Sequence, residues 1–380
     1  MNLFLLSKHR SPLMGIAIIL VVLFHAPHIF PDTFFDLVQS QGNLGVDIFF
    51  LISGIGLFFS WTKNPDASQF LKKRFLRILP TYLIVAVAWH LYYCVYKEFH
   101  FSAEGIWQFL YRVTNLRFWI DGDLTDWYIP SILAFYLLVP SFFTFLKNTK
   151  SQFTFVLFLI IVILGLNLSP AKDMYLGRLF IVINRLPIFL LGLTLGKFVQ
   201  QKTDLSKYSV IFCLIIFLLC FFSNTILQTD FYKLTYLVNI FTALSFCLLM
   251  SFILDRIKTV GILSFCGSIT LEIYLLNERC LQMVPHSSPQ RDDVFRSHAR
   301  AERRACILIE QICQKNIKIK KGPLSSASLL FKIVVDCSLT LLDIREISLI
   351  LRSHFVNLRI LGTDKPTTII RMMRSVIVPL

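Results

Sequence analysis

Leu44-Gly45-Val46-Asp47-Ile48-Phe49-Phe50-Leu51-Ile52-Ser53-Gly54-Ile55-Gly56-Leu57-Phe58-Phe59-Ser60-Trp61 decides the fold class. The run is long enough to cross a hydrocarbon core of about 30 Å as a helix and carries Asp47 as its single ionisable group. Runs of the same kind recur on both sides, at 12–30, 79–96, 126–146, 152–168, 179–199, 208–228, 234–254 and 261–277. Composition agrees. The 380 residues are 55% hydrophobic and 14% aromatic, and only 16% are charged, against about a quarter in soluble domains. The expected architecture is all-α, a polytopic transmembrane helical bundle of nine to ten spans.

The net charge of +15 does not point to nucleic acid, because it is distributed by side of the membrane. With the N-terminus cytoplasmic, the loops on that side carry Lys8, Arg10, Lys63, Lys72, Lys73, Arg74, Arg77, Lys147, Lys150, Lys197, Lys202, Lys207, Arg256 and Lys258. The acids there are Asp66, Asp204 and Asp255, whereas the opposite loops are acid-rich, with Asp32, Asp36, Asp121, Asp123 and Asp126. This is the positive-inside pattern of a multi-pass protein of the cell (plasma or inner) membrane. The first run lacks a small-residue cleavage site and reads as a retained span. The cysteines are scattered singly without metal-ligand or redox spacing, so no metal is expected and they read as small hydrophobes. The aromatic, acidic loop from Lys97 to Thr125 is the longest on the outer face and suits a lid or a re-entrant piece.

The chain changes character after about Arg279. Residues 1–278 form the membrane domain, and 279–380 form a basic segment of unknown fold. Two readings of that segment stand side by side. It replaces a lost tenth span through a change of reading frame, or it is a poorly ordered appendage.

Ionisable groups inside apolar spans are costly, which makes each a candidate for function. His25, Asp47, Arg185 and Glu272 are such groups, and Trp127 and Tyr128 open the fourth span on the outer face. By the helical rise these side chains fall at similar depth. An imidazole titrates near neutrality, so His25 is the candidate general base, with Asp47 or Glu272 to hold its tautomer. Arg185 suits an oxyanion or an acceptor group. The alternative for His25 is a structural hydrogen bond between helices, and His90, flanked by aromatics, reads as packing. Arg74 and Arg77, at i and i+3 before Pro80, share a helical face that suits the phosphates of a nucleotide-bearing donor. The alternative is an ordinary basic loop. Gly54 and Gly56 permit close helix approach or serve the site.

Together these segments resemble the membrane-bound acyltransferase 3 family. The resemblance rests on Leu13 through His25, on Gly45-Val46-Asp47-Ile48-Phe49-Phe50 with Ser53-Gly54, and on Lys73-Arg74-Phe75-Leu76-Arg77. It continues through Trp127-Tyr128-Ile129, Arg185-Leu186-Pro187 and Leu271-Glu272-Ile273-Tyr274-Leu275, in the family's order. Met14 stands where the family often has an arginine, with Arg10 one turn earlier, and Asn277 stands where many members have histidine.

The resemblance implies an integral membrane O-acyltransferase that moves an acyl group, acetyl here, from cytoplasmic acyl-CoA to a hydroxyl of a surface polysaccharide or glycolipid. No cofactor is bound, acyl-CoA is a co-substrate, and the partners are acyl-CoA, the glycan acceptor and membrane lipid. His25, Asp47 and Glu272 are the catalytic candidates. Arg10, Arg74, Arg77 and Ser53 are the donor-binding ones, and Trp127, Tyr128 and Arg185 lie on the acceptor side. Two further readings remain open at this point. One is a transporter or channel with a His25, Asp47 and Glu272 path; the other is an inactive remnant of the enzyme.

Overall fold

The computed structural model describes residues 1–26, 33–93, 103–169, 179–230, 234–257 and 260–283. By clustering of contacts the chain divides into units Met1–Pro285 and His286–Leu380, and the described residues all belong to the first. The segment expected at 279–380 therefore lies outside the described residues from 284 onward. Residues 279–283 do not: they are the end of the last helix.

The elements are α1 (Leu5–Lys8), α2 (Arg10–His25), α3 (Phe34–Ser40), α4 (Leu44–Lys63), α5 (Ala67–Tyr93), α6 (Ala103–Val113), α7 (Leu116–Asp121) and α8 (Tyr128–Phe145). They continue with α9 (Thr149–Leu168), α10 (Phe180–Ile183), α11 (Leu186–Gln200), α12 (Ser209–Asp230), α13 (Thr235–Leu254), α14 (Gly261–Ser268) and α15 (Thr270–Met283). The all-α expectation holds for the described residues. Among them, seven segments are long and apolar enough to cross a membrane, and α2 is a shorter apolar helix.

Helix ends depart from the sequence expectation for identifiable reasons. The first helix stops at His25, not at residue 30. Ala26 is extended (φ −70°, ψ 151°) because Pro27 follows it and a residue before proline avoids the helical region. The third span begins at Ala67, not at 79, so Arg74 and Arg77 sit on a helix, not in a loop. Residues 67–79 are rich in strong helix formers, and a membrane helix tolerates the single lost bond at Pro80. The sixth span breaks between α10 and α11 (Asn184–Arg185), since Pro187 cannot donate to the carbonyl of Ile183 and clashes with it. The ninth breaks at Ile269. Two short helices, α6 and α7, lie between α5 and α8, within the segment expected as the longest outer loop.

Helix α4 is buried along nearly its whole length, and α11 packs tightly against it. A Cβ on Gly54 would stand 2.3 Å from the Phe189 carbonyl oxygen, and one on Gly192 2.3 Å from that of Leu51. Small residues let these backbones touch. Helices α2 and α14 meet likewise, at Gly15 against Leu263 and Gly267 against Ser11. Amide pairs tie neighbouring helices inside the apolar layer, Asn167 Nδ2–H to Asn184 Oδ1 at 2.6 Å and Asn224 Nδ2–H to Asn239 Oδ1 at 2.7 Å. By contrast α9 and α12 expose Leu157, Phe158, Ile161, Ile211, Phe212 and Leu219, the side chains that lipid solvates.

The loops assigned to one side from charge do meet at one end of the bundle. Leu3 N–H donates to Thr203 O at 3.0 Å and Asn2 Nδ2–H to Asp204 Oδ1 at 2.8 Å. Lys8 Nζ reaches Asp255 Oδ1 at 2.5 Å, and His9 Nε2 reaches the same oxygen at 3.0 Å.

Candidate active site

Helix α4 runs antiparallel to α2 and carries Asp47, Phe50 and Ser53 along one side, at successive turns. Asp47 lies in the first turn of α4, where the helix dipole favours an anion. Arg185 lies in the break between α10 and α11, which frees its side chain to turn toward α4. Arg185 Nε stands 3.4 Å from Asp47 Oδ1, and each residue is 3% exposed. Nη1–H donates to the Ile181 carbonyl at 3.1 Å. The guanidinium also lies over Trp127, 4.9 Å from the ring centroid, and over Tyr236, at 5.2 Å. Asp47 Oδ2 has no hydrogen-bond partner among the described residues.

One residue along the chain, Tyr128 points into a second cluster. Its hydroxyl lies within interaction reach of Ser53, and its ring packs against Phe50 (5.1 Å) and Tyr274 (5.5 Å). Beyond it, the Arg10 guanidinium rests on Gly56, where a Cβ would stand 2.9 Å from Cζ. Arg10, Arg74 and Arg77 lie within electrostatic reach of one another and of Tyr136, while Tyr128 is in reach of Arg10 and Arg77. Three guanidinium groups, those of half-buried Arg10 and Arg74 and of exposed Arg77, gathered from α2 and α5, repel one another, and an anion of several charges relieves that repulsion. The expected donor set Arg10, Arg74, Arg77 and Ser53 is thus brought together.

His25 stands apart. It is exposed in the last turn of α2, with its ring edge-on to Phe24 at 5.2 Å. Its Nδ1 lies 3.0 Å from the Val21 carbonyl oxygen. A carbonyl only accepts, so Nδ1 carries the proton and the neutral ring keeps a lone pair at Nε2. Gly42 packs at the level of Leu20 and Phe24, and Gly45 at the level of Ala17 and Val21. Continued along two antiparallel helices, that register puts His25 about 12 Å from Asp47 along the helix axes, on the side away from Arg10.

The expected partnerships of His25 are accordingly not formed. Asp47 pairs with Arg185, and Glu272, in the first turn of α15, is in electrostatic reach of Arg77. The common depth expected for these groups resolves into two clusters, joined through Trp127 and Tyr128.

Four participants escaped the sequence reading: Tyr136, Tyr236 and the pair Asp126 and Arg279. Tyr136 lies two turns after Tyr128 on α8, a spacing that marks one helical face and was available as a signal. Tyr236 opens α13 with no local motif around it. Asp126 counted only as an outer-loop acid, and Arg279 fell beyond the assigned domain. They form a buried pair: Arg279 Nη1–H donates to Asp126 Oδ1 at 2.9 Å, and Nη2–H donates to Oδ2.

Comparison with known proteins gives one match. A family model described as an acyltransferase domain, acyltransferase 3, matches residues 13–284. No curated protein and no solved structure matches the chain.

Proposed function

The chain belongs to the acyltransferase 3 family and is a multi-pass membrane acyltransferase; from that premise we propose that it moves acetyl from cytoplasmic acetyl-CoA to a hydroxyl of a surface polysaccharide or glycolipid across the membrane. The observation that carries this reading is that Arg10, Arg74 and Arg77 lie within electrostatic reach of one another and of Tyr136, with Tyr128 in reach of Ser53, Arg10 and Arg77. Guanidinium forks match phosphate oxygens, and a CoA donor presents several phosphates at one end and its thioester at the other. Arg10 and His25 lie about 22 Å apart along α2, a separation that suits a donor gripped by its nucleotide with its acyl group on a long arm.

In the step we propose, His25 Nε2 takes the proton of the acceptor hydroxyl. The acceptor oxygen attacks the thioester carbonyl carbon, the C–S bond breaks, and CoA leaves as a thiolate that is then protonated. A route through transient acetylation of His25 gives the same net balance. Arg185, held by Asp47, Trp127 and Tyr236, faces the acceptor side, and Glu272 offsets charge at Arg77. The membrane is the cell membrane with the N-terminus cytoplasmic, in keeping with the meeting of Lys8, Lys202 and Asp255 at one end.

The test is transfer of labelled acetyl from acetyl-CoA to envelope glycan by protein in liposomes, with release of CoA thiol measured in parallel. Wild type labels the glycan and releases thiol in equal amount, and His25→Ala binds acetyl-CoA but transfers nothing. Full transfer by His25→Ala removes the base from this scheme, and absence of both signals in wild type removes the donor.

A further inference from the structure

We infer that the buried Asp126–Arg279 pair is a positioning device: it fixes the backbone entering α8 so that the consecutive residues Trp127 and Tyr128 reach the acceptor-side and donor-side clusters at once. The inference rests on the acyl-transfer reading of those two clusters. Asp126 has φ 53°, a left-handed conformation that non-glycine residues adopt only when their surroundings hold them there. Several bonds hold it. The Arg279 fork grips both carboxylate oxygens, and Arg279 Nη1–H also donates to Leu275 O at 2.6 Å within its own helix. Asn115 Nδ2–H donates to the Asp126 carbonyl at 3.5 Å. Five residues before Arg279, the hydroxyl of Tyr274 accepts the Tyr128 N–H at 3.4 Å. Helix α15 therefore grips the start of α8 on both sides of Trp127.

The left-handed turn at Asp126 leads directly into Trp127, which lies under Arg185, and Tyr128, which comes within reach of Ser53. A buried ion pair is a poor device for stability alone, since apolar replacements of both partners are often neutral or better. A bidentate fork does something apolar packing does not: it fixes distance and angle together. Asp126 and Arg279 are 2% and 4% exposed, and Trp127 and Tyr128 follow Asp126 directly in the chain, so the effect of the pair on transfer runs through those two side chains.

The test separates positioning from clamping of the fold. In the full chain, Arg279→Met alone strands a buried carboxylate and lowers the melting temperature. The neutral double variant Asp126→Asn with Arg279→Met recovers melting but keeps kcat down by about tenfold or more, the scale expected for a misplacement of about 1 Å. Its KM for acetyl-CoA rises by less than kcat falls, because Arg10, Arg74 and Arg77 keep their places and only Tyr128 of the donor-side cluster shifts.

Trp127 emission, isolated in each background by subtracting the Trp127→Phe spectrum, shifts in the double variant. A double variant with wild-type kcat and an unshifted Trp127 spectrum overturns the proposal. Where the double variant does not fold, Arg279→Lys replaces it, keeping the charge but losing the fork, with the same expectations. If wild type transfers no acetyl, the acyl-transfer reading fails separately, and the Trp127 spectrum alone decides the inference.

Discussion

Arg185 reaches Asp47 across 3.4 Å while its flat guanidinium lies over both Trp127 and Tyr236. Both charges are buried, so the pair's worth lies in what happens when one partner is removed. Arg185→Met leaves a bare carboxylate inside the bundle and should cost about 3–5 kcal/mol. Arg185→Lys keeps the charge but loses the planar stack on two rings, and should fall between wild type and Arg185→Met. Adding Asp47→Asn to Arg185→Met should recover much of the loss. Unfolding in detergent, followed by near-ultraviolet signal, ranks the variants; an Arg185→Met protein as stable as wild type would contradict the arrangement.

The contact between α4 and α11 makes a sharper structural test. Alanine at Gly54 or Gly192 puts a methyl carbon 2.3 Å from a backbone carbonyl oxygen, and neither side has a flexible end that can give way. Each substitution should push the helices apart, lower the melting temperature and disturb the Asp47–Arg185 pair, which the same two helices position. Gly165→Ala is the control. Nothing lies within 4 Å of that site, and alanine gains about 1 kcal/mol of helix propensity over glycine. Melting curves for the three variants should therefore split in sign.

What could be read from the sequence was set by range. The spans around Asp47 and around Cys247 announce themselves because hydropathy is a local property and lipid selects for it directly. Helix breaks at Pro187 and after His25 were also local, yet they were missed: an apolar window averages over a proline that breaks a helix and one, such as Pro80, that a helix tolerates. Arg10, Arg74 and Arg77 were legible as chemistry, and their grouping as one donor set came from the family resemblance, since like charges give no reason of their own to meet. The pairing of Asp47 with Arg185 was not legible, because depth alone does not say which helices touch. Asp126 and Arg279, 153 positions apart, gave no local signal. Each looked like an ordinary loop charge until α8 and α15 were side by side.

The arginine trio predicts a split between binding and turnover. Arg74→Ala and Arg77→Ala each remove one guanidinium from the proposed phosphate site and should raise the KM for acetyl-CoA about tenfold, the size of one charge-assisted bond lost. Lysine at either position should recover part of the affinity, since charge survives and the fork does not. Tyr136→Phe keeps the ring but removes the hydroxyl within reach of the trio, and should raise the KM less. His25→Ala should show the opposite pattern, with acetyl-CoA binding retained and kcat lost. Isothermal titration with acetyl-CoA, set beside initial rates, separates the two; a His25→Ala protein that fails to bind donor would show that the clusters are not independent.

Acid should loosen the end of the bundle that carries the N-terminus. The hydrogen bond from Lys8, and then that from His9, hold the Asp255 carboxyl below its ordinary value. A carboxyl whose folded value is depressed contributes stability above its unfolded value, near about 3.9, and loses that contribution as pH falls through the folded value. Asp255→Asn removes the contribution at every pH. Melting temperatures of wild type and Asp255→Asn should therefore differ at neutrality and at about pH 5, and converge as pH falls below about 4. The group is exposed at the membrane surface, so added salt should shrink the neutral-pH difference by screening the Lys8 pair. A gap that stays open at low pH, or that is indifferent to salt, would mean that Asp255 holds α13 by something other than its charge.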